Sequence, residues 1–405
     1  MNISKRLCAA AAAATLVALS GCSSVGNDSV SSAPSKAKGE PIKVGFLNQG
    51  SGALAFPDFA AGGIAGAHHV NAEGGINGRP IDLVTCDTDG TPAASVKCAN
   101  QFVSEHVVAV VQGIDLNSDN ALQILIGADI PLIGHAQFGV VQTNSADAFF
   151  FGAASGAYYG LPLVTLAKKY GAKHIAFLNV DTPTTRTLAD ANLDPVTKKL
   201  GIDLKKVFYP AMSPNYNAVF ASAVSSKPDA VLIVASEADC TGLVQAGRAL
   251  GYRGTIFAGS CSQFIAADPS AAEGVLTDTD MYLPDDTKGL PPATARQVAD
   301  YQEAMKGQSA KNVTPFSQMT FSGMMDLATA LKAIKGEIKP ESLKKSLRSI
   351  HGVQSYMGQT ISCDGKQWPY ATAVCAPGLL AYKVVSGKRQ LVSGEFTDVA
   401  SYYKN

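Results

Sequence analysis

Short apolar runs alternate with longer stretches of helical pattern along almost the whole chain, and this alternation begins twice. Runs at 42–47, 80–85, 107–111 and 130–133 have the length and β-branched content of strands, with helix-patterned segments at 59–71, 93–105 and 118–128 between them. The rhythm then restarts. Helices at 158–170, 187–200, 216–225 and 240–250 alternate with strands at 175–178, 204–209, 230–234 and 255–258. Strands joined through helices by short loops pair in parallel, with helices covering both faces of the sheet. A chain of 405 residues has room for two such units. The fold class is therefore α/β: two doubly wound lobes in series, with the break expected near 149–152.

Past the Pro-rich stretch 284–292 come three further helical segments, at 294–305, 316–334 and 341–349. A loop at 362–375 and a hairpin pattern at 382–385 and 390–392 follow. Those helices need a sheet to cover, so they are assigned back to the first unit. Lobe 1 is then expected at 41–152 plus 284–354 and lobe 2 at 153–283 plus 355–405, with a multi-crossover hinge between them.

The first residues form an address, not a fold. Lys5 and Arg6 precede a 7–19 apolar run that suits a signal-peptide h-region and falls short of the roughly 20 residues needed to cross a bilayer. Ala18-Leu19-Ser20-Gly21-Cys22 resembles the bacterial lipobox, which implies cleavage after residue 21 and lipidation of Cys22. An ordinary secretory signal with an incidental Cys is the rival reading. Residues 22–40, rich in Ser, Lys and Gly, read as a flexible tether. No later segment is long and apolar enough to cross a membrane, so the expected location is the extracellular face of the cell membrane, held by lipid.

Export places six cysteines in an oxidising compartment. Sequence proximity favours Cys86–Cys98, Cys240–Cys261 and Cys363–Cys375, each closing a loop worth about 3 kcal/mol in the chain-entropy model. A zinc site is the competing use, but no CxxC occurs and the six His are scattered; no metal or cofactor is expected. With 33 basic and 33 acidic residues the chain carries no electrostatic footprint for nucleic acid.

Ligands of open α/β sheets bind beyond the carboxyl ends of the strands, and two facing sheets make a cleft. The loops at those ends lie at 48–56, 113–117, 134–138, 181–186, 235–239 and 259–263. They supply the candidate binding residues Gln49, Ser51, Gly52 and Phe56, then Gly113, Ile114 and Asp115, then His135, Ala136 and Gln137. From the second lobe come Tyr158, Asp181, Thr184, Glu237, Asp239 and Ser260. Backbone N–H groups at helix starts suit a ligand carboxylate, and Asp181, Glu237 and Asp239 suit an ammonium. A ligand touching both lobes favours closure. The usual catalytic signatures GxSxG, HExxH, GxxxxGK[ST] and GxGxxG are missing, which points away from an enzyme. His68-His69 reads as two surface histidines on a helix. Asp87 and Asp89 read as a solvated turn beside the first disulfide. His135 is either a ligand contact or a structural histidine.

Three segments carry a family resemblance. NAEGGINGRPIDL at 71–83 resembles the NxxGGINGRPIxL signature of the branched-chain amino-acid type of ABC-transporter solute-binding protein. Residues 43–52, ending Gln49-Gly50-Ser51-Gly52, resemble its first strand and Ser-Gly ligand loop. Pro228-Asp229-Ala230-Val231 and the later Gln245-Ala246-Gly247-Arg248-Ala249-Leu250-Gly251 resemble its "PDAV … QARxLG" segment. The resemblance implies the type I periplasmic-binding-protein architecture, two αβ lobes with three crossovers. It also implies residue roles. The Ser-Gly loop maps on Ser51 and Gly52, and the loop for an α-carboxylate on His135-Ala136-Gln137, where the family's hydroxyls are missing. Thr182, Pro183, Thr184 and Thr185 follow Asp181 in place of the family's aromatic residue, while Tyr158 or Tyr159 stands where an aromatic often enters the cleft. The acid for an α-ammonium maps on Asp239, counting back from Arg248, with Glu237 as the alternative.

The expectation is a lipid-anchored, monomeric solute-binding protein that captures a small organic ligand, an amino acid or a related compound, and passes it to ABC permease subunits. An extracellular sensor of the same fold is the alternative. A secreted hydrolase is the third reading, disfavoured by the missing nucleophile elbow.

Overall fold

The computed structural model describes residues 35–404, apart from 53–54 and 286. The signal segment 1–21 and Cys22 lie outside the described residues. The end of the expected tether does not hang free. Ala37 is buried, the Lys36 N–H bonds the Asn71 carbonyl at 3.1 Å, and the Gly39 N–H bonds the Gly78 carbonyl at 2.9 Å. The second of these bonds ends in the GGINGRP turn, whose Gly74, Gly75, Asn77 and Gly78 all have positive φ.

The first half of the chain gives β1 (Ile42–Gln49), α1 (Pro57–Ala72), β2 (Ile81–Thr88), α2 (Pro92–Ser104), β3 (Val110–Gln112) and α3 (Ser118–Gly127). β4 (Leu132–Gly134), α4 (Val140–Thr143) and β5 (Ala148–Ala153) follow. The break expected near 149–152 is thus a strand. Phe149, Phe150 and Phe151 are all buried, because a parallel strand covered on both faces reads as a continuous apolar run. The second unit begins with α5 (Ser155–Tyr170) and continues through β6 (His174–Val180), α6 (Pro183–Leu200), β7 (Asp203–Tyr209) and α7 (Tyr216–Val224). It runs on through β8 (Ala230–Ile233), α8 (Glu237–Ala249), β9 (Thr255–Phe257), α9 (Gln263–Ala267), α10 (Pro269–Ala272) and β10 (Leu276–Thr279). α5 and α6 end in left-handed Gly171 and Gly201, positions that favour a residue without Cβ.

α11 (Pro292–Ala304), α12 (Pro315–Lys332) and α13 (Pro340–Arg348) each start on a Pro, where the missing N–H costs nothing. A small ladder, β11 (Val353–Gln354) with β12 (Thr360–Ile361), precedes β13 (Val374–Ala376), β14 (Gly378–Val385), β15 (Lys388–Leu391) and β16 (Thr397–Asp398).

The first sheet runs β13-β5-β4-β3-β1-β2, all parallel. The second runs β15-β14-β10-β9-β8-β6-β7, with β16 also on β14; β14 is antiparallel to β10, and β15 and β16 are antiparallel to β14. Both are doubly wound, as the alternation requires, and the terminal hairpin is β14–β15. The assignment of 355–405 to the second lobe needs one correction. β13 pairs with β5, so the segment leading to it belongs with the first sheet and only the chain from β14 onward joins the second.

The chain therefore passes between the sheets three times: after β5, after β10 and between β13 and β14. Against one face of the first sheet α1 and α12 pack together, Gly62 and Gly66 letting them approach while Gly63 makes room for Phe46 of β1. A cluster of Tyr282, Tyr301, Phe321, Met357, Leu380 and Tyr382 joins these helices to β14 of the other sheet. The expected disulfides Cys86–Cys98, Cys240–Cys261 and Cys363–Cys375 are all formed. No helix among the described residues is long and apolar enough to cross a membrane.

Candidate functional site

Each sheet reverses its winding beside its first strand, between β1 and β3 in one and between β6 and β8 in the other. Such switch points open a crevice at the carboxyl ends of the strands. A cavity of about 570 Å³ lies between the two units. Asp58 at the start of α1 and Thr314, Phe316 and Met319 around the start of α12 wall it on one side. Tyr158, Glu237, Ser260, Ser262 and Asp278 wall it on the other.

Beneath the cavity the crossovers are tied by one carboxylate. Asp280, just past β10, has its Oδ2 2.9 Å from His135 Nε2 at the end of β4 and 3.1 Å from the Ala153 N–H. The Tyr158 hydroxyl stands near enough to favour its charged form. Both His135 and Asp280 are buried. Burial opposes ionisation of Asp280, but the His135 charge, the Ala153 N–H and the Tyr158 hydroxyl outweigh it and hold the carboxyl below its ordinary value. Burial likewise opposes protonation of His135, and the Asp280 charge overcomes it with help from Asp326, so the imidazole pKa is raised. Asp278, two residues back, is pushed well above the usual carboxyl range, first by burial and then by the charge of Asp280. Asp326 on α12 is pushed up to about 7 by burial.

Tyr158, Glu237 and Ser260 line the cavity. Glu237 spends its carboxylate on the loop before α9, accepting from the Ser262 N–H and the Gln263 N–H, each at 2.9 Å, and from Ser262 Oγ at 3.0 Å. Asp239 accepts from Tyr216 Oη at 2.7 Å and Ser236 Oγ at 2.9 Å, and the bond to Asp239 pushes the Tyr216 phenol up to about 12. Asp181 is clamped by Arg186 through two bonds at 2.7 and 2.9 Å, with Thr184 exposed on the next turn.

The first-lobe candidates sit at strand ends and mostly brace one another. Ser51 donates to the Thr88 carbonyl at 3.3 Å, and Gly52 has φ +91°, where a Cβ would strike the Asp89 carbonyl. Gln49 reaches the Leu116 N–H at 3.5 Å, and Asn48 Oδ1 accepts from the Ile114 N–H beside Gly113. Asp115 is buried and accepts from Ser95 Oγ at 2.6 Å. Ala136 offers its carbonyl to Gln112, while Gln137 Oε1 is buried without a partner among the described residues. Phe56 meets Phe59 edge-on. Sequence reasoning missed Asp58, Phe316, Met319 and Asp278. The one available signal was Asp278-Thr279-Asp280, a polar run that directly follows an apolar one.

Residues 41–373 match the family model described as periplasmic binding protein. A curated relative, the chemotactic signal transduction system substrate-binding protein BasB of Halobacterium salinarum, is 26% identical over 332 residues, spanning 78% of this chain and 75% of its own. Among solved structures, the branched-chain amino acid transporter substrate-binding protein LivJ of Streptococcus pneumoniae, in complex with isoleucine, superposes with a TM-score of 0.68 at 18% identity. That match covers 88% of this chain and 99% of LivJ. A fatty acid ABC transporter substrate-binding protein from Thermomonospora curvata superposes with a TM-score of 0.71 at 16% identity, covering 92% of this chain and 96% of the other. At those identities the superpositions speak for the fold.

Proposed function

The chain belongs to the periplasmic binding protein family, and from that premise we propose that it is the solute-binding component of an ABC importer. It captures a small organic ligand, an amino acid or a related compound, between its two lobes and presents the closed form to permease subunits. Anchoring through a lipid on Cys22 keeps it at the outer face of the cell membrane. The observation that carries the reading is the 570 Å³ cavity walled by both lobes above three crossovers. A ligand there gains its full set of contacts only when the lobes close. Of the positions chosen from sequence, Tyr158, Glu237 and Ser260 are those proposed to touch the ligand; Gln49, Ser51, Gly52 and Phe56, the loops at 113–115 and 135–137, and Asp181, Thr184 and Asp239 are proposed to frame the cleft.

The test is a thermal-shift screen of the purified protein against amino acids, amides, polyamines, aromatic acids and fatty acids, followed by small-angle scattering. A ligand at 100 times its Kd adds about 2.7 kcal/mol, and closure reduces the radius of gyration. A stabilising compound that leaves the radius unchanged argues against capture by closure. The lipid anchor is tested apart: Cys22→Ala should move the protein from the membrane fraction to the medium.

The chemotaxis role named for BasB supports a second reading, an extracellular sensor on the same fold. Loss of ligand uptake in a strain lacking the gene favours import. Intact uptake with lost taxis favours sensing.

A further inference from the structure

Most charged groups around the interlobe cavity are already engaged. Glu237 holds the start of α9, Asp58 accepts from Thr314 Oγ1 at 2.7 Å, and Asp285 grips Arg389 through two bonds of 2.9 Å. Asp278 is different. It lines the cavity from β10 at 3% exposure, and both its carboxyl oxygens are buried with no hydrogen-bond partner among the described residues. Its neighbour Asp280 faces His135, the Ala153 N–H and Tyr158 instead. A native fold keeps a buried acid without a partner at a cost, so such a group points to something that pairs with it. Across the cavity, beside Asp58, Lys311 and Thr314, the wall carries an apolar patch. Phe316 stacks on Phe59 with ring centroids 4.9 Å apart, and Val313, Pro315 and Met319 extend the surface.

We propose that the cleft selects a primary amine with an apolar body, the ammonium pairing with Asp278 and the hydrocarbon or aromatic part lying on the Phe316–Met319 wall. This inference rests on the capture reading above and names the class of ligand. An ammonium brings positive charge and up to three donors to oxygens that have none. A ligand carboxylate would bring its negative charge beside that of Asp280, and an alcohol supplies one donor without charge. The acids drawn from sequence for this role, Asp181, Glu237 and Asp239, already have protein donors.

A proton step follows from the surroundings. The titratable groups that bear on Asp278 are Asp280 and Tyr158, and the cavity wall adds Asp58, Glu237, Asp285, Lys311 and Arg389. Burial and the Asp280 charge favour the acid form of Asp278 while the cleft is empty. The arriving ammonium favours the carboxylate, so the Asp278 O–H bond breaks and its proton leaves to solvent. One proton is released per amine bound, and affinity rises with pH.

The experiment is titration calorimetry of the whole protein with 2-phenylethylamine, 2-phenylethanol and 3-phenylpropanoate, and with the six-carbon amine, alcohol and carboxylate, in buffers of different ionisation enthalpy. The expected result is amines binding at least tenfold tighter than their matched alcohols and acids, with close to one proton released. Asp278→Asn should lower amine affinity more than tenfold and leave the melting temperature of the empty protein equal or higher. Phe316→Ala, at a partly exposed site, should weaken phenylethylamine more than hexylamine. An alcohol or acid that binds as tightly as its amine, or amine affinity unchanged in Asp278→Asn, overturns the inference and leaves capture standing. Silence from all six compounds also overturns it, and capture is then decided by the broader screen.

Discussion

His135 Nε2 sits 2.9 Å from Asp280 Oδ2, so a side chain at the end of a first-sheet strand is ionically paired with the second of three interlobe crossovers. Both residues are buried, and the same carboxylate also receives the Ala153 N–H of the first crossover. The pair holds two of the three crossing strands at fixed distance. Removing one partner strands the other without compensation, which costs about 3–5 kcal/mol. Asp280→Asn and His135→Gln should each lower stability by that order in denaturant unfolding. The double variant should cost clearly less than the two together. Strict additivity would show that the two side chains act independently.

Three buried groups in this region titrate in one direction. Asp326 is pushed up to about 7 by burial, Asp278 is raised by burial and by Asp280, and His135 is raised because Asp280 outweighs burial. Each holds its proton more tightly folded than unfolded, so stability falls as pH rises. The Asp326 contribution is complete below the ordinary carboxyl value of about 3.9 and is lost towards pH 7. That of His135 is complete below about 6.5 and is lost as pH rises through its raised value. Asp280 works oppositely, its lowered pKa giving stability above about 3.9 that is lost as pH falls. The melting temperature of the empty protein should therefore decline from pH 5 to pH 8. Asp326→Asn retains the bond from the Tyr356 N–H through its amide oxygen and should flatten that decline. A melting temperature that climbs over this range would contradict the assignment.

The two disulfides Cys86–Cys98 and Cys240–Cys261 differ in what they position. The first joins β2 to α2, and neither element lines the cavity. The second ties the first turn of α8 to the loop before α9, which together carry Glu237, Ser260 and Ser262 of the cavity wall. Each closes a loop whose loss costs about 3 kcal/mol in the chain-entropy model. Replacing both cysteines by Ser should lower the melting temperature in either case. Only the Cys240/Cys261 variant should also weaken binding of the best compound from the screen. Equal affinities in the two variants would mean that the second-lobe wall keeps its shape without its staple.

The same contrast explains what was legible in the sequence. β1, β6 and β8 announced themselves through apolar, β-branched runs, and the proximity of the cysteines gave the pairing. β10 did not, because Thr277, Asp278 and Thr279 look like a turn and become a buried strand only between β9 and β14. β13 hid inside the loop closed by Cys363–Cys375. Asp181, Glu237 and Asp239 were visible as acids at strand ends. What consumes them is the Arg186 guanidinium, five residues along the chain, and, through tertiary packing, the N–H groups at the start of α9 and the Tyr216 hydroxyl. Charge can be read from a sequence, whereas the partner that spends it depends on packing.

Gly62 gives the sharpest test of how the first-lobe wall is built. α1 and α12 lie against each other so closely that a Cβ at Gly62 would come 1.9 Å from the Ser317 carbonyl oxygen and 2.4 Å from Thr320 Oγ1. Thr320 Oγ1 in turn donates to the Phe59 carbonyl at 2.7 Å, and Thr314 Oγ1 to Asp58 at 2.7 Å, so the two helix starts are locked as one surface. A backbone carbonyl cannot step aside as a flexible side chain would. Helix propensity alone would favour Ala over Gly by about 1 kcal/mol, yet overpacking of this kind costs about 1–3 kcal/mol or more. Gly62→Ala should therefore destabilise the protein despite its better helix former. It should also weaken ligand binding, because Asp58 and Phe316 move with the displaced helix ends. Gly127→Ala, at the end of α3 where an added Cβ meets nothing within 4 Å, is the matched control and should leave affinity unchanged and stability equal or higher. A stabilised Gly62→Ala protein with normal affinity would mean that α1 and α12 are free to separate, and that the cavity wall does not depend on their contact.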